Sequence, residues 1–588
     1  MKKALLSVAL LAMAIIANAA ERSVATMRAI AAAKLSASTQ VKGLNGGAAP
    51  KLTLECISNE KAYCVFTPQD GDGFVIVAKS DLADPIIGYS EEHFDANDMP
   101  DGLKWYLEEM SRELEAAENV HANRAPRRTA ATYTPVENFV TTQWSQDYPF
   151  DRKTPKNYPS GCVATAIAQC MNYCQWPASA SFTGEYYVTT KTGRKENTER
   201  KSETVSTTYT WPYKDTYKNI GRWGDNIDEL LRDCGYATYM SYTQSGSGTA
   251  SYLAGIALTS VFSYPEKSVK YMDYDYLRDP DRWAQIIYDE LAQRCPVYYA
   301  ASDSTMGGHA FLFSGVDADG LVYVNWGWRG KADGYFAITN LNPTSDHAYR
   351  FTYSFDIIYG IRPEPLPTDH AEPRIFGYTG IPFTFSFEKA TDDDEVEHNT
   401  LYCNLPYGFV NYSPTEFCGV FGLFGRDLTD GTDWVIAPDL QDRDTIPPGY
   451  GYASTSEQYK DFAFYYYIDG ENGLKPGHKY HLSFGTRDDH EGSWHSILCH
   501  GGELGYELTY TGDIATSTIV EVKKPVPVLT GIQAVHHNTT TDDGITRVYD
   551  TAGRLIYTSP TPRFNLWDVQ AHGVLVIKQG DNVKKVVR

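Results

Sequence analysis

Residues 158–173 read YPSGCVATAIAQCMNY, a glycine and a cysteine followed by alanines and other apolar residues. This run predicts a buried helix over Ala164–Tyr173. Cys162 then lies at the start of the helix, where exposed backbone N–H groups and the positive end of the helix dipole stabilise an anion. Cys162 is either an ordinary buried cysteine or a nucleophilic thiol. Gly161 favours the nucleophile, because a glycine there lets a substrate backbone approach closely.

Two histidines between residues 129 and 367, His309 and His347, are candidates for the base that activates this thiol. His309 is preferred because two glycines, Gly307 and Gly308, precede it and leave space beside the imidazole. It also begins a strand predicted over Ala310–Val316. Gly161, Gly307 and Gly308 are therefore predicted to bind substrate.

The following strand, predicted over Leu321–Asn325, ends in an amide suited to hold the imidazole. Neutral Asn325 accepts a hydrogen bond from the distal ring N–H and so fixes the tautomer. In a plain ladder the loop 317–320 would place Asn325 opposite Leu312, on the other face from His309, so we expect a bulge between the strands. A thiol, a base and an amide together suggest a thiol peptidase.

The chain has 588 residues, of which 42% are hydrophobic, more than one core usually organises. Helix patterns over Asn226–Cys234 and Asp281–Arg294 precede strand patterns over Val297–Ala300 and Gly334–Ile338. A helical half followed by a sheet half indicates the α+β class. Beyond residue 367, short aromatic strands separated by turn residues predict β-sandwich-like modules.

Three segments mark domain boundaries because they are rich in proline or lack periodicity: residues 119–135, 362–367 and 523–527. They divide the chain into a leader over 1–19, an N-terminal region over 20–130, a catalytic domain over 131–367, a β-rich accessory domain over 368–522 and a C-terminal module over 523–588.

The leader has the features of a signal peptide. Two lysines at 2–3 precede an apolar run over 4–17, and Ala17-Asn18-Ala19 fits an A-x-A cleavage site. We therefore expect export, followed by a soluble or surface-attached mature protein. The net charge of −22 argues against nucleic acid and anionic membranes as partners.

Ten cysteines are too few for a disulfide scaffold in a chain of this length. Two pairs are close enough in sequence to be candidate bridges: Cys56 with Cys64, and Cys403 with Cys418. The group Cys162, Cys170 and Cys174 has no adjacent histidine or cysteine to complete a zinc site, so neither a metal nor a cofactor is expected.

The sequence around the candidate nucleophile and base resembles the streptopain family of papain-clan cysteine peptidases. The matching motifs are Tyr158–Ala166, Gly308–Ala310 and Val324–Trp328, within about residues 136–365. The resemblance implies a papain-like fold with Cys162 as nucleophile and His309 as general acid and base. It further implies that Asn325 orients the imidazole and that Trp326 shields that hydrogen bond from water.

The same resemblance implies an oxyanion-hole glutamine in a W-x-Q context before the nucleophile. Gln146 in Trp144-Ser145-Gln146 fits this context, and Gln143 is the weaker competitor. Arg329 stands where a glycine is common in such families, which affects the expected shape of the local loop. The loop Ser245–Gly248 is implied to lie at the edge of the substrate cleft.

Two stretches of the N-terminal region, Gly73–Ala78 and Asp84–Ser90, resemble the inhibitory prodomain of the same family. Residues 20–130 are thus expected to be a removable propeptide that inhibits its own peptidase. The strands and turns from Gly531 to Arg588 resemble the C-terminal sorting domain of type IX secretion cargo in Bacteroidetes-like bacteria; the alternative is an ordinary terminal β-sandwich. The sorting domain implies outer-membrane secretion machinery as a partner, and a location outside a Gram-negative cell or on its surface.

The expected function is that of a secreted cysteine endopeptidase, made as a zymogen, that hydrolyses proteins through a thioester acyl-enzyme. Two other classes stay open. A papain-fold acyl transferase uses a similar cysteine and histidine, but usually with an aspartate where Asn325 stands. A non-catalytic surface-binding protein would act through residues 368–520.

Overall fold

The structure is a computed structural model that describes most of the N-terminal and catalytic regions and parts of the rest. The described residues are 21–42, 53–81, 83–119, 133–213, 226–274, 280–303, 307–338, 353–365, 375–377, 384–391, 395–404, 409–431, 433–437, 444–450, 463–469, 473–488, 494–499, 502–523, 546–550, 555–559, 574–579 and 582–587. The predicted signal peptide, His347 and linker residues 120–132 lie outside them. None of the helices in the described part of the chain is long and apolar enough to cross a membrane.

The N-terminal region combines two helices with an antiparallel sheet. Its elements are α1 (Val24–Lys42), β1 (Leu54–Asn59), β2 (Tyr63–Pro68), β3 (Phe74–Ala78), β4 (Ile86–Ser90) and α2 (Asp101–Asn119). Strand β3 is buried on both faces because its residues alternate between two apolar clusters. Val75 and Val77 pack with Met27 of α1, whereas Phe74 and Ile76 belong to the core of the catalytic domain.

The catalytic region has its helices mainly before its sheet, as predicted. Its elements are α3 (Cys162–Cys174), β5 (Ser179–Thr192), β6 (Lys195–Thr208), α4 (Ile227–Ala237), β7 (Ser241–Thr243), β8 (Gly246–Gly248), α5 (Ser251–Ser260), β9 (Lys270–Asp273), α6 (Pro280–Ala292), β10 (Val297–Asp303), β11 (Gly307–Val316), β12 (Val322–Asn325), β13 (Gly334–Phe336) and β14 (Tyr353–Tyr359). The predicted α+β class is confirmed, and each helix and strand predicted around the site is present. The long β5–β6 hairpin was not predicted.

One ten-stranded sheet joins the N-terminal and catalytic regions, in the order β1-β2-β3-β4-β13-β12-β11-β10-β14-β9. The junction is the antiparallel pair β4–β13, in which Tyr89 lies opposite Tyr335 and Gly88 opposite Phe336. The two tyrosine rings stack with centroids 5.2 Å apart. A Cβ at Gly88 would lie 2.2 Å from the Phe336 ring, so this crossing requires a glycine. The N-terminal region therefore extends the sheet of the catalytic domain.

The accessory region is strand-rich. Its strands are β15 (Ile375–Gly377), β16 (Thr384–Thr391), β17 (Glu397–Asn404), β18 (Phe409–Asn411), β19 (Phe417–Asp427), β20 (Asp433–Ala437), β21 (Asp444–Ile446), β22 (Ala463–Tyr467), β23 (Lys479–Asp488), β24 (Trp494–Ser496), β25 (Leu498–Cys499), β26 (Gly502–Thr509) and β27 (Thr518–Lys523). A three-stranded sheet, β16-β17-β22, faces a larger one built on β19, β23 and β26. Leu401, Phe421 and Leu482 lie in the apolar core between them, as a β-sandwich requires.

The C-terminal module contains a four-stranded sheet. Its strands are β28 (Thr546–Asp550), β29 (Leu555–Ser559), β30 (Val574–Gln579) and β31 (Asn582–Val587), in the order β29-β28-β30-β31. The strand-rich character predicted for this end of the chain is therefore present in its described residues.

The two disulfide candidates are wrong. Cys56 and Cys64 are free thiols, although their side chains lie close enough to interact with each other. Cys418 is also a free thiol, so it forms no bridge with Cys403.

Candidate active site

Helix α3 begins at Cys162, as the sequence predicted, and Gly161 caps it with φ of +91°. That dihedral lies in the region that glycine adopts readily. A Cβ on Gly161 would also lie 2.8 Å from the Met240 Cε atom and 3.0 Å from the Ser247 carbonyl oxygen. Glycine is thus required here by the turn into the helix and by these two neighbours. Its predicted contact with substrate stays a prediction.

The thiol of Cys162 lies where the start of α3 meets the start of β11. Burial raises the pKa of this thiol, while hydrogen bonds with the backbone of Ala310, Val163 and Cys162 itself lower it. Ala310 directly follows His309 in β11, so the nucleophile candidate is held against the strand that carries the base candidate. The backbone hydrogen bonds favour the thiolate, but burial outweighs them in this state of the chain.

His309 lies in β11 opposite Ala301 of β10. Burial lowers the pKa of its imidazole, and Lys104 adds to that effect, whereas Asp101 opposes it. Both of these charged residues belong to α2 of the N-terminal region. A neutral imidazole is the form that accepts a proton from a thiol, so His309 is suited to act as a general base.

Cys162 and His309 line one cleft of about 370 Å³. Gly308 lies in its wall, as predicted for a substrate-binding glycine, and so does Gly248. Gly248 is the last residue of β8, which pairs with β7. The segment Ser245–Gly248, predicted as a loop at the edge of the cleft, therefore ends in a short strand, and its Gly248 lines the cleft. Gly307 begins β11, opposite Asp303 of β10.

Asn325 is buried and makes hydrogen bonds with groups other than His309. Its amide nitrogen donates to the Thr142 carbonyl at 2.6 Å, and its oxygen accepts from the Gly327 N–H at 2.9 Å. The strands do contain a bulge, between Phe313 and Val316, yet Asn325 still pairs with Leu312. That register puts Asn325 on the other face from His309. The bulge therefore does not bring the amide to the imidazole, and the orienting role of Asn325 stays a prediction.

Trp326 is buried next to β11, the strand that carries His309. Its ring lies 4.9 Å from that of Phe311 and its indole N–H donates to the Ala332 carbonyl at 3.0 Å. The Trp326 backbone N–H donates to a carboxylate oxygen of Asp333 at 2.9 Å. Burial raises the pKa of Asp333 to about 8, and the charge of Glu92 in the N-terminal region adds to this shift.

The two candidate oxyanion glutamines have different surroundings. The Gln146 carbonyl accepts from the Ser160 N–H at 2.7 Å, which fixes the W-S-Q segment beside the loop that leads to Cys162. Gln143 instead covers Gly330, where a Cβ would lie 2.7 Å from the Gln143 Nε2 atom. The backbone contact favours Gln146 as the residue closer to the nucleophile.

Arg329 adopts a backbone conformation that glycine takes readily. Its φ is +61°, in the left-handed region. Its backbone N–H donates to the Trp144 carbonyl at 3.0 Å, and its guanidinium pairs with Asp147 at 2.7 Å. These contacts hold Arg329 in its left-handed conformation and connect its loop to the W-S-Q segment.

The N-terminal region covers the side of the site that holds Trp326. A Cβ on Gly102 of α2 would lie 2.9 Å from the Trp326 ring and 3.6 Å from Phe311. The Tyr106 hydroxyl donates to the Ala337 carbonyl at 2.6 Å. The start of α2 thus packs directly against the aromatic residues beside His309.

Sequence reasoning missed four residues that line the far part of the cleft: Tyr271, Asp273, Asp356 and Tyr412. A signal existed for the two aspartates, because each interrupts an otherwise aromatic or aliphatic strand pattern, YMD at 271–273 and FDII at 355–358. Tyr412 has no such signal, since its place beside the cleft depends on how the accessory domain docks.

Residues 144–336 match the Peptidase C10 family, and residues 21–114 match the Spi protease inhibitor family. The thiol protease/hemagglutinin PrtT of Porphyromonas gingivalis is 34% identical over 372 residues, which are 58% of this chain and 42% of that protein. The chain therefore spans less than half the length of that relative. Streptopain of Streptococcus pyogenes is 28% identical over 335 residues, which are 52% of this chain and 81% of that protein.

Two solved structures from Prevotella intermedia are also similar. A mutant prointerpain A fragment is 28% identical, with a TM-score of 0.45. The match includes 53% of this chain and 100% of the fragment. The active wild-type interpain A cysteine protease is 29% identical, with a TM-score of 0.33. The match includes 40% of this chain and 100% of that protease. By sequence, the part of this chain that is similar to Peptidase C10 proteins, residues 144–336, follows a part that is similar to Spi protease inhibitors, residues 21–114.

Proposed function

We propose that the protein is a cysteine endopeptidase, made as a zymogen, that hydrolyses peptide bonds in proteins. The observation that carries this proposal is the single cleft lined by Cys162 at a helix start and His309 at a strand start. Both residues lie within the segment that matches the Peptidase C10 family.

In this proposal His309 removes the proton from the Cys162 thiol, and the sulfur attacks the carbonyl carbon of the scissile bond. The amide of Gln146 and the backbone N–H of Cys162 stabilise the oxyanion that forms. The imidazolium then gives its proton to the departing amine, which leaves a thioester. His309 next activates a water molecule, which attacks the thioester and releases the acid and the thiol. From the resemblance, Asn325 is proposed to orient the imidazole and Trp326 to shield it, which requires Asn325 to exchange its present hydrogen bonds with Thr142 and Gly327 for one with His309.

Latency is proposed to come from residues 20–130. Three contacts support it: β4 extends the sheet of the catalytic domain, Gly102 packs on Trp326, and Asp101 and Lys104 act on the pKa of His309. The match of residues 21–114 to the Spi protease inhibitor family agrees with an inhibitory propeptide. The proposed binding partners are protein substrates and, before cleavage, the chain's own inhibitory propeptide.

Hydrolysis of casein tests the catalytic assignment, with the N-terminal region of wild type and of every variant removed by the same added protease, which is then inactivated. Cys162→Ala should lower the rate at least ~10⁴-fold, because the acyl-enzyme cannot form. Cys174→Ala is the matched control, since Cys174 ends the same helix outside the cleft and should keep its activity. Equal activity of the Cys162→Ala variant and wild type would refute the assignment.

The glutamine assignment has its own pair of variants. Gln146→Ala should lower kcat roughly 100- to 1,000-fold, as the loss of one oxyanion donor does in other hydrolases. Gln143→Ala should change kcat far less, because that side chain packs over Gly330. The reverse order of effects would transfer the role to Gln143. An assay with amine acceptors distinguishes hydrolysis from acyl transfer in the same preparations.

Export is proposed to use the signal peptide over residues 1–19 and sorting of residues 523–588 by a type IX secretion system, to the medium or the outer cell surface. The four-stranded sheet of the C-terminal module is compatible with a separate sorting domain. A chain that ends near Pro527 should stay folded and active but remain in the periplasm. Normal release of that truncated chain from its native host would make the module merely structural.

A further inference from the structure

Lys34 of α1 makes two ion pairs that cross from the N-terminal region to the catalytic domain. Its ammonium nitrogen lies 2.7 Å from a carboxylate oxygen of Asp317 and 2.6 Å from one of Asp319. Both aspartates belong to the turn that joins β11 to β12. These three residues are called here the Lys34 contact, and the latency described above does not use them.

Most of the Lys34 contact is shielded from water. The side chains of Lys34 and Asp317 are only 12% and 13% exposed. The Lys34 ammonium also lies 4.5 Å from the centroid of the Tyr89 ring, and the Tyr89 hydroxyl donates to the same Asp317 oxygen at 3.1 Å. Removing one partner of such a pair leaves the other charge buried, which is strongly unfavourable.

The turn that receives Lys34 is shaped by the catalytic domain itself. The other carboxylate oxygen of Asp317 accepts from the backbone N–H groups of Asp319 at 3.0 Å and Leu321 at 2.9 Å. The Tyr288 hydroxyl donates to the Gly320 carbonyl at 2.7 Å. The two carboxylates are therefore oriented by groups other than Lys34, and they offer a preformed site for its charge.

A second ion pair crosses the same boundary, between Lys331 of the catalytic domain and Asp98 of the N-terminal region. Its side chains are 43% and 55% exposed. Exposed ion pairs typically contribute little to stability. Of these two pairs, the Lys34 contact is therefore the one expected to retain the N-terminal region.

The Lys34 contact lies at the opposite end of β11 from the candidate base. His309 is the third residue of that strand, whereas Asp317 follows its last residue. Eight residues of a strand span roughly 25 Å. A substitution of Lys34 therefore changes how the N-terminal region is held without altering α2 or the cleft.

We propose that Lys34 retains the N-terminal region on the catalytic domain after the linker at residues 120–132 has been cut, so that release of the cut segment starts the activity. This inference rests on the proposed latency and names the contact that regulates it. A cut segment is bound as a separate partner, and losing a buried charge pair mainly speeds the dissociation of a partner. Because salt screens ion pairs, release should also be faster at high salt.

The test uses the full chain in a Cys162→Ala background, with a recognition sequence for a site-specific protease placed in the linker. After the cut, size-exclusion chromatography of the diluted complex measures its half-life at low and high concentrations of NaCl. Lys34→Met should shorten the half-life roughly 10- to 100-fold and weaken its salt dependence. Lys61→Met is the control with the same change of charge. Lys61 is 75% exposed and pairs with Glu115 inside the N-terminal region, so the half-life should stay at the wild-type value.

Asp319→Asn tests the same contact from the catalytic domain, and it remains informative even where Lys34→Met prevents α1 from folding. Asp319 is 69% exposed, so this variant should shorten the half-life only about twofold to fivefold. In a Lys34→Met background it should change the half-life little further, because its partner is already gone.

The inference would be overturned by equal half-lives of wild type and Lys34→Met, by additive effects of Lys34→Met and Asp319→Asn, or by immediate release from the cut wild type. The same chains with an intact Cys162 separate this inference from the proposed activity. Peptide hydrolysis should begin as the N-terminal region leaves, and earlier in Lys34→Met. Release at the expected rates without any hydrolysis would support the role of Lys34 and contradict the peptidase activity.

Discussion

The N-terminal region and the accessory domain both contact the catalytic domain, but in different ways. The N-terminal region shares a sheet and an apolar core with it: Phe74, Ile76 and Leu103 belong to the same cluster as α3. The accessory domain has a core of its own, contributes only Leu498 of its described buried residues to the shared cluster, and meets the cleft through the loop that contains Tyr412. The first arrangement covers residues beside the imidazole, and the second leaves the cleft open while shaping it. The contrast fits one region that is removed and one that is retained.

The largest expected effect concerns which of the two regions is cut off. Wild-type chain should lose residues 20 to about 130, whereas Cys162→Ala should accumulate at the uncleaved size if processing is autocatalytic. Mass spectrometry of both preparations over time measures this. The accessory domain should stay attached in each, because it has a core of its own. A fully active wild-type protein that still carries residue 21 would contradict the inhibitory role.

A smaller effect is expected from loosening the N-terminal cover. Gly102→Leu places a side chain where even a Cβ lies 2.9 Å from the Trp326 ring, so α2 must shift. Overpacking of this kind typically costs about 1–3 kcal/mol, which corresponds to roughly 5- to 150-fold weaker inhibition. The initial hydrolysis rate of freshly purified, uncleaved chain reports it.

Glu108→Leu is the control for this variant, since Glu108 lies on the same helix with its side chain 52% exposed. It should leave the rate of the uncleaved chain at the wild-type level. An equally low rate in Gly102→Leu would mean that the contact of α2 with Trp326 does not maintain latency.

The last expected effect is on stability and not on activity: a pH dependence at the boundary between the N-terminal region and the catalytic domain. Asp333 is buried there, with its backbone carbonyl accepting from the Ser90 hydroxyl at 2.5 Å, and its carboxyl pKa is raised to about 8. Because the folded-state pKa is raised, the stability of the latent chain should decline as the pH rises from about 4 to about 8 and then level off. In a Cys162→Ala background, Asp333→Asn should flatten this slope and raise Tm at pH 8.

Asp95→Asn, at an exposed carboxyl of the N-terminal region, should keep the wild-type slope. Thermal unfolding between pH 4 and pH 9 compares the three chains. A slope that persists in Asp333→Asn would place its origin in other groups.

Local patterns predicted the parts of the site that depend on neighbouring residues. The apolar run after Cys162 predicted α3, and the glycine pair before His309 predicted the start of a strand, because helix and strand periodicity are properties of a short window. The match of the motifs to one peptidase family then connected residues that lie 147 positions apart.

Other features depend on contacts between distant segments and left little trace in the sequence. The pairing of Tyr89 with Tyr335 joins two regions, and only the register of the assembled sheet determines it. The same is true of Asp273 opposite Asp356. The bulge between β11 and β12 was expected from parity, but Asn325 is still paired with Leu312. The turn closes on Val316 and Val322, one residue later than the predicted loop 317–320, and the bulge offsets that extra residue.

The central claim is that Cys162 becomes a reactive nucleophile beside His309 once the N-terminal region is removed. The most direct test treats the latent and matured chains with an epoxide thiol inhibitor and locates the adduct by peptide mass spectrometry. The account predicts one adduct on Cys162 in the matured chain, little in the latent chain, and slower labelling in His309→Ala whose N-terminal region has been removed by an added protease, as in a matching wild-type sample. An active matured chain that carries the adduct on another cysteine, or none at Cys162, would contradict it.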